Sequence, residues 1–179
     1  MELKGSKTEA NLQTAFAGES MATNKYSYFS SKARKEGYVQ ISDIFAETSG
    51  NEREHAKLWF KFLNDGDVPD TKTNLLEAAN GEYSEWTDMY KRFAEEAKEE
   101  GFTQIATLFS LVAGVEKEHE KRYRQILEHL EQGVTFERDG VTLWNCLNCG
   151  YIHHGSSAPT VCPVCAHAQA YFVEFADNY

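Results

Sequence analysis

Two short words, each written twice, carry most of the chemistry available to this chain. Glu-x-x-His stands at Glu52 and His55 and again at Glu116 and His119, and Cys-x-x-Cys stands at Cys146 and Cys149 and again at Cys162 and Cys165. Residues three apart on a helix share a face, so each Glu-x-x-His aims a carboxylate and an imidazole in one direction. Two Cys-x-x-Cys words can set four thiolates around one tetrahedral ion, either zinc or a single iron, and spacing alone leaves both open. Disulfides are the poorer reading, because the leading residues Met1-Glu2-Leu3-Lys4-Gly5 are polar and offer no apolar signal region.

The Glu-x-x-His words sit inside a longer internal repeat. Ala33-Arg34-Lys35-Glu36-Gly37-Tyr38 parallels Ala97-Lys98-Glu99-Glu100-Gly101-Phe102, and Gln40, Ile41, Phe45 and Gly50 return as Gln104, Ile105, Phe109 and Gly114. From Ala33 to Lys57 roughly two residues in five match without a gap, which puts the two words in equivalent structural positions. Apolar spacing and breakers predict helices over about Thr8–Glu36, Val39–Leu63, Asn74–Glu100 and Thr103–Gln132. Helix two carries Ile41, Ile44, Phe45, Leu58, Trp59 and Phe62 as its apolar positions, and Asn64 to Asp70 separates the repeat halves with turn chemistry. Rods of this length, about 40 Å, suit a four-helix bundle. Beyond Gly133 the pattern changes to short strands, with Asp139-Gly140 read as a turn and Tyr171–Phe175 as a further strand. The expected domains are therefore 1–135, helical, and 136–179, a small β/loop metal domain.

Helix one adds Glu19 within a run of small and apolar residues, and helix three adds Glu82 and Glu85, again three apart. With Glu52, His55, Glu116 and His119 this makes five carboxylates and two imidazoles projecting from four helices. So many like charges cannot share a half-buried site without cations between them. Oxygen-rich ligands with a few imidazoles suit two iron or manganese ions, and the layout is that of ferritin-like carboxylate bundles. Glu54 and Glu118 lie within the words but about 100° off the inner face, so they are read as solvated. Tyr26 and Tyr90 hold equivalent repeat positions and are candidates to hydrogen-bond the ligand carboxylates. His153, His154 and His167, near the cysteines, are read as surface residues.

Glu19, Glu52-x-x-His55, Glu82-x-x-Glu85 and Glu116-x-x-His119, followed by four cysteines, resemble rubrerythrin across essentially the whole chain. The tail itself, with Cys149-Gly150-Tyr151, Cys162-Pro163-Val164-Cys165 and the aromatic residues Trp144, Tyr151, Tyr171 and Phe172, resembles rubredoxin, although the loop between its knuckles is shorter than in free-standing rubredoxins. The resemblance implies an all-α, ferritin-like four-helix bundle followed by a rubredoxin-like domain. It implies Glu52 and Glu116 bridging two irons, Glu19 and Glu82 as terminal ligands, and His119 on the second iron. The first iron would exchange between Glu85 when oxidised and His55 when reduced. A third iron would sit on the four cysteines, with zinc the other possibility.

The activity so implied is a peroxidase that reduces hydrogen peroxide to water with electrons from a separate NAD(P)H-dependent reductase or rubredoxin. The chain contains no Gly-x-Gly-x-x-Gly fingerprint for a nicotinamide or flavin of its own. A homodimer or higher homo-oligomer in the cytoplasm is expected. Lys and Arg number 18 against 28 Asp and Glu, a net charge of −10, which disfavours nucleic-acid binding. No stretch of about 18 apolar residues suggests a membrane span. Two rivals remain at this level: a ferroxidase or iron-storage protein, which gives the tail no role, and a helical binding module with a structural zinc ribbon, which leaves the inward ligands unexplained.

Overall fold

The computed structural model describes residues 2–178; Met1 and Tyr179, the outer limits of the two expected domains, lie outside the described residues. The elements run α1 (Lys7–Lys35), α2 (Val39–Leu63), α3 (Thr71–Ser84), a π turn (Glu85–Met89), α4 (Tyr90–Glu99), α5 (Thr103–Glu131), β1 (Glu137–Cys146), β2 (Ile152–Ser157), a 3-10 turn (Gln169–Tyr171) and β3 (Phe172–Glu174). The chain divides into two compact units, Met1–Pro69 and Asp70–Tyr179.

The first unit is the hairpin of α1 and α2. Ser6 starts α1 by accepting from the Glu9 N–H at 3.1 Å, while the Glu9 carboxylate reaches back to the Gly5 N–H at 2.6 Å. Gly37, at φ +87°, ends it: Tyr38 N–H donates to Ala33 O and Gly37 N–H to Arg34 O. This end explains part of the repeat, because Phe102 and Gly101 close α4 onto Ala97 and Lys98 in the same way, with Gly101 also at φ +87°. The seam between α1 and α2 is made of small residues, with Ala33, Ser42, Ser49 and Ala56 buried. Ser42 pairs with the Ser30 hydroxyl at 3.1 Å, and the Ser49 hydroxyl donates to Thr23 O at 2.8 Å. Ile41, Ile44, Leu58 and Phe62, expected as apolar positions of helix two, stay about half exposed within this unit. Two helices bury only one seam, and the small residues occupy it.

In the second unit α3, the π turn and α4 form one interrupted rod packed along α5, over buried Ala79, Ala97, Ala106 and Leu127. Helix three was expected to be continuous and to begin near Asn74. It begins three residues earlier, because the Asp70 carboxylate caps it by accepting from Thr73 N–H at 2.8 Å. It is also not continuous, being interrupted by the π turn at Glu85–Met89. The halves also share an aromatic triad: Tyr26, Phe29 and Phe45 in one, Tyr90, Phe93 and Phe109 in the other, with centroids 5.5–6.1 Å and 5.6–6.5 Å apart. Among the described residues no helix is long and apolar enough to cross a membrane.

The tail is a three-stranded antiparallel sheet in the order β2-β1-β3. Asp139-Gly140 is not the hairpin turn expected of it. Both residues lie inside β1, where the register with β2 slips between Glu137 and Thr142 and Gly140 takes φ +83°. A glycine at positive φ serves a bulge as readily as a turn. Trp144, Cys146, Ala158, Cys162 and Phe172 form the tail's core, and the Trp144 indole donates to Gly155 O at 3.1 Å.

Candidate metal centres

The tail builds its cage from two matching knuckles. Cys146 N–H donates to Tyr151 O and Gly150 N–H to Cys146 O; Cys162 N–H donates to His167 O and Ala166 N–H to Cys162 O. Gly150 and Ala166 answer to one another and both lie in the left-handed region, at φ +77° and +59°. An alanine there is strained by about 1–2 kcal/mol, part of which a glycine returns as unfolded-state entropy. Ala166→Gly is therefore expected to stabilise the tail by about 0.5–1 kcal/mol, read as a higher denaturant midpoint for loss of its near-ultraviolet circular dichroism.

The knuckles bring all four predicted cysteines together. Cys146 Sγ lies 3.7 Å from Cys165 Sγ, and Cys149 Sγ lies 3.6 Å from Cys162 Sγ. A disulfide needs about 2.05 Å, whereas a tetrahedron with metal–sulfur bonds of about 2.3 Å has edges of about 3.8 Å. The cysteines are free thiols spaced for an ion. The His167 N–H, donated to Cys165, draws that thiol down to about 6. Cys149 accepts from Tyr151 N–H, yet burial and the neighbouring sulfurs push it up to about 12. Four sulfurs this close cannot all ionise unless a cation sits among them. His153 and His167 are half-buried and His154 is exposed, and none joins this group.

Among the helices, the structure gathers six of the seven predicted ligands into two clusters of equal design. In the first unit His55 Nδ1 stands 2.8 Å from Glu52 Oε2 and 3.8 Å from Glu19 Oε1. In the second, His119 Nδ1 stands 2.7 Å from Glu116 Oε2 and 3.6 Å from Glu82 Oε1. Each has ligand atoms close enough to hold one metal ion. Burial, followed by the charge of Glu116 and a smaller contribution from Glu85, raises Glu82 above the usual carboxylate range. Glu85 is not part of the second cluster, although its charge is felt at both Glu82 and Tyr90. Burial first, then Glu85, Glu116 and Glu82, raise Tyr90 above the ordinary phenol range, so its hydroxyl keeps its proton. Carboxylates crowded together with an imidazole nitrogen turned toward them are the donor set expected where a cation supplies the missing charge.

Glu54 and Glu118 point away from these clusters, 59% and 70% exposed, beside Arg53 and Lys57 and beside Lys121. Glu54→Gln and Glu118→Gln are expected to change stability by no more than about 0.5 kcal/mol and to leave Fe(II) titration of the helical site unaltered. Trp86 and Glu120 gave no signal of their own in the sequence. The Trp86 indole nevertheless donates to Glu120 Oε2 at 2.7 Å, directly beside Glu85 and His119 in the chain.

The family model described as Rubrerythrin matches residues 10–127 and, in a second alignment, 73–142; the one described as Rubrerythrin, rubredoxin-like domain, matches 144–173. Rubrerythrin-1 of Clostridium acetobutylicum is 52% identical, covering 99% of this chain and 98% of its own. Rubrerythrin of Nitratidesulfovibrio vulgaris is 50% identical over 95% of both chains, and that of Porphyromonas gingivalis is 50% identical over 99% of this chain and 94% of its own. The expected ferritin-like all-α fold with a small four-cysteine domain holds. The chain belongs to the rubrerythrin family, a di-iron carboxylate protein with a rubredoxin-like four-cysteine site.

Proposed function

We propose that this protein is a peroxidase that reduces hydrogen peroxide to two waters, consuming two electrons and two protons. The observation that carries the reading is the presence, in one chain, of two equivalent carboxylate–histidine clusters and a four-thiol cage. The first pair suits redox chemistry on an oxygen substrate; the cage suits one-electron relay. When bound, the irons supply the electron transfer, refilled from a separate NAD(P)H-dependent reductase or rubredoxin.

Glu52 and Glu116 would hold the iron pair in common, Glu19 and Glu82 would complete it as further carboxylate ligands, and His119 would serve the second iron. Glu85 would serve the first iron when it is oxidised and His55 when it is reduced. The hard anionic oxygen of Glu85 favours the ferric ion, and the neutral Nδ1 of His55 tolerates the ferrous one. His55 and His119 give up their short contacts with Glu52 and Glu116 to act in this way. Tyr90, held protonated, can donate a proton or hydrogen bond beside Glu85, and Tyr26 is its counterpart in the first half. Cys146, Cys149, Cys162 and Cys165 would hold the third iron, beside the Trp144 and Phe172 of the tail's core.

The domains are assigned as 1–135 and 136–179, and the location as the cytoplasm. A homodimer or higher homo-oligomer is the assembly this reading expects, and the half-exposed Ile41, Ile44, Leu58 and Phe62 leave apolar surface on the first unit for a partner surface to cover. Metal analysis together with the absorption spectrum of full-length protein tests the reading. Three irons per chain are expected, with the red colour of four-thiolate Fe(III) and near-ultraviolet absorption from the di-iron pair. Zinc in a colourless tail would refute the electron relay and return the choice to the ferroxidase or binding-module readings.

A further inference from the structure

The two halves of the helical region match at an offset of 64 residues from Tyr26 through Ala33, Glu52 and His55, yet Glu19 answers to Glu82 at an offset of 63. One residue has thus been added to the second half between Glu82 and Tyr90. The structure accommodates it by opening the helix into the π turn Glu85–Met89, in which the Tyr90 N–H donates to Glu85 O five residues back. A π turn absorbs one extra residue. Glu82 and Tyr90, eight apart, therefore stay in phase as Glu19 and Tyr26 do at seven. In an unbroken α-helix the addition would rotate everything downstream by about 100° and swing Tyr90, Phe93 and Ala97 off the seam.

Two substitutions between the halves accompany the addition. Where the first half has Ala22 and Ala56, the second has Glu85 and Glu120. Ala56 borders an open groove between α1 and α2. Glu120 instead reaches from α5 to the π turn, accepting from Trp86 Nε1 at 2.7 Å and from Arg124 Nε at 2.6 Å. Its side chain is only 12% exposed. Trp86 follows Glu85 and Glu120 follows His119, so this one bond ties the backbone beside Glu85 to the backbone beside a candidate ligand.

We propose that the π turn, locked by Trp86, Glu120 and Arg124, is a positioning device that holds Glu85 toward the Glu82–Glu116–His119 cluster and that the first half of the chain lacks. The proposal deepens the peroxidase reading and rests on Glu85 as an iron ligand. Trp86 and Glu120 touch no metal themselves; they act through Glu85.

The test uses iron-loaded full-length protein carrying Trp86→Phe or Glu120→Ala, each alone and combined with Glu85→Ala, and reads the midpoint potential of the di-iron pair. Both variants are expected to shift it upward, in the direction of Glu85→Ala and by less, and to shift it no further once Glu85 is gone. Glu120→Gln, whose amide oxygen still accepts from Trp86, is expected to restore most of the potential. No shift in either variant, or shifts of equal size with and without Glu85, would overturn the device. Should Glu85→Ala itself leave the potential unmoved, the ligand assignment fails instead. The device is then judged on crystal structures of the zinc-loaded protein. There Trp86→Phe must straighten residues 85–89 or turn the Glu85 carboxylate from Glu82, and an unchanged turn refutes it.

Discussion

Cys162→Ser abolishes the red four-thiolate colour and stops reductase-driven peroxide turnover while leaving the helices folded. Cys162 is buried against Trp144 and Phe172, with its sulfur 3.6 Å from that of Cys149, so a serine oxygen offers a hard, poorly ionised donor where a soft thiolate is needed. The effect stays local because α1–α2 and α3–α5 bury their own seams, whose residues are not part of the tail's core. Far-ultraviolet circular dichroism and the di-iron absorbance are expected to persist. Turnover should fall by more than about 100-fold, beyond the usual cost of losing a partner outside the ligand shell. Turnover at the parental rate would mean that electrons reach the helical site by another route.

Glu85→Ala separates a ligand that changes hands from one that merely balances charge. If Glu85 serves the oxidised first iron, its loss penalises the ferric state and spares the ferrous one. The potential rises, reoxidation by peroxide slows, and Fe(II) binding falls only modestly. His55→Ala is expected to do the reverse, weakening Fe(II) binding and lowering the potential. Stopped-flow reoxidation and Fe(II) titration of both variants measure the two arms. Equal losses of ferrous and ferric affinity in Glu85→Ala would reduce its role to neutralising charge, and structures in both redox states with the first iron on Glu85 throughout would end the exchange mechanism.

Much of this was written plainly in the chain. Helix α2 runs from Val39 to Leu63 as its punctuation implies, since Gly37 ends one helix and Asn64-Asp65-Gly66 ends the next. Glu-x-x-His fixes both residues on one face wherever the helix goes, so the pairing of Glu52 with His55 and of Glu116 with His119 is legible from spacing alone, whereas their gathering into two three-residue groups with Glu19 and Glu82 is not. The π turn was hidden because apolar spacing tolerates a slip of one residue; only the change of offset between Glu19–Glu82 and Tyr26–Tyr90 betrays it. Glu120 was hidden for a different reason. A glutamate beside Lys121 and Arg124 on a long helix reads as solvated, and only its approach to Trp86, 34 residues away, says otherwise. Asp139-Gly140 misled because positive φ is common to bulges and turns. Ile44, Leu58 and Phe62 show that an apolar stripe marks what is to be covered without saying by which surface.

The seams made of Ala33, Ala56, Ala79, Ala97, Ala106 and Ser42 invert the usual arithmetic of mutation. In most cores, truncation is the danger, since shortening a leucine leaves a void worth several kcal/mol (about 2–5). At these alanines and serines there is little volume to remove, and what would damage the helix pairs there is addition. A single valine or leucine at Ala79, which has no exposed surface, must force the rods apart at a cost of about 1–3 kcal/mol. Because ligand atoms on the two rods of each pair stand within hydrogen-bond to metal-binding distance, that separation would also unseat the cluster. Side-chain size is thereby capped along the inner line of each rod, where a gained methylene costs more than a lost one.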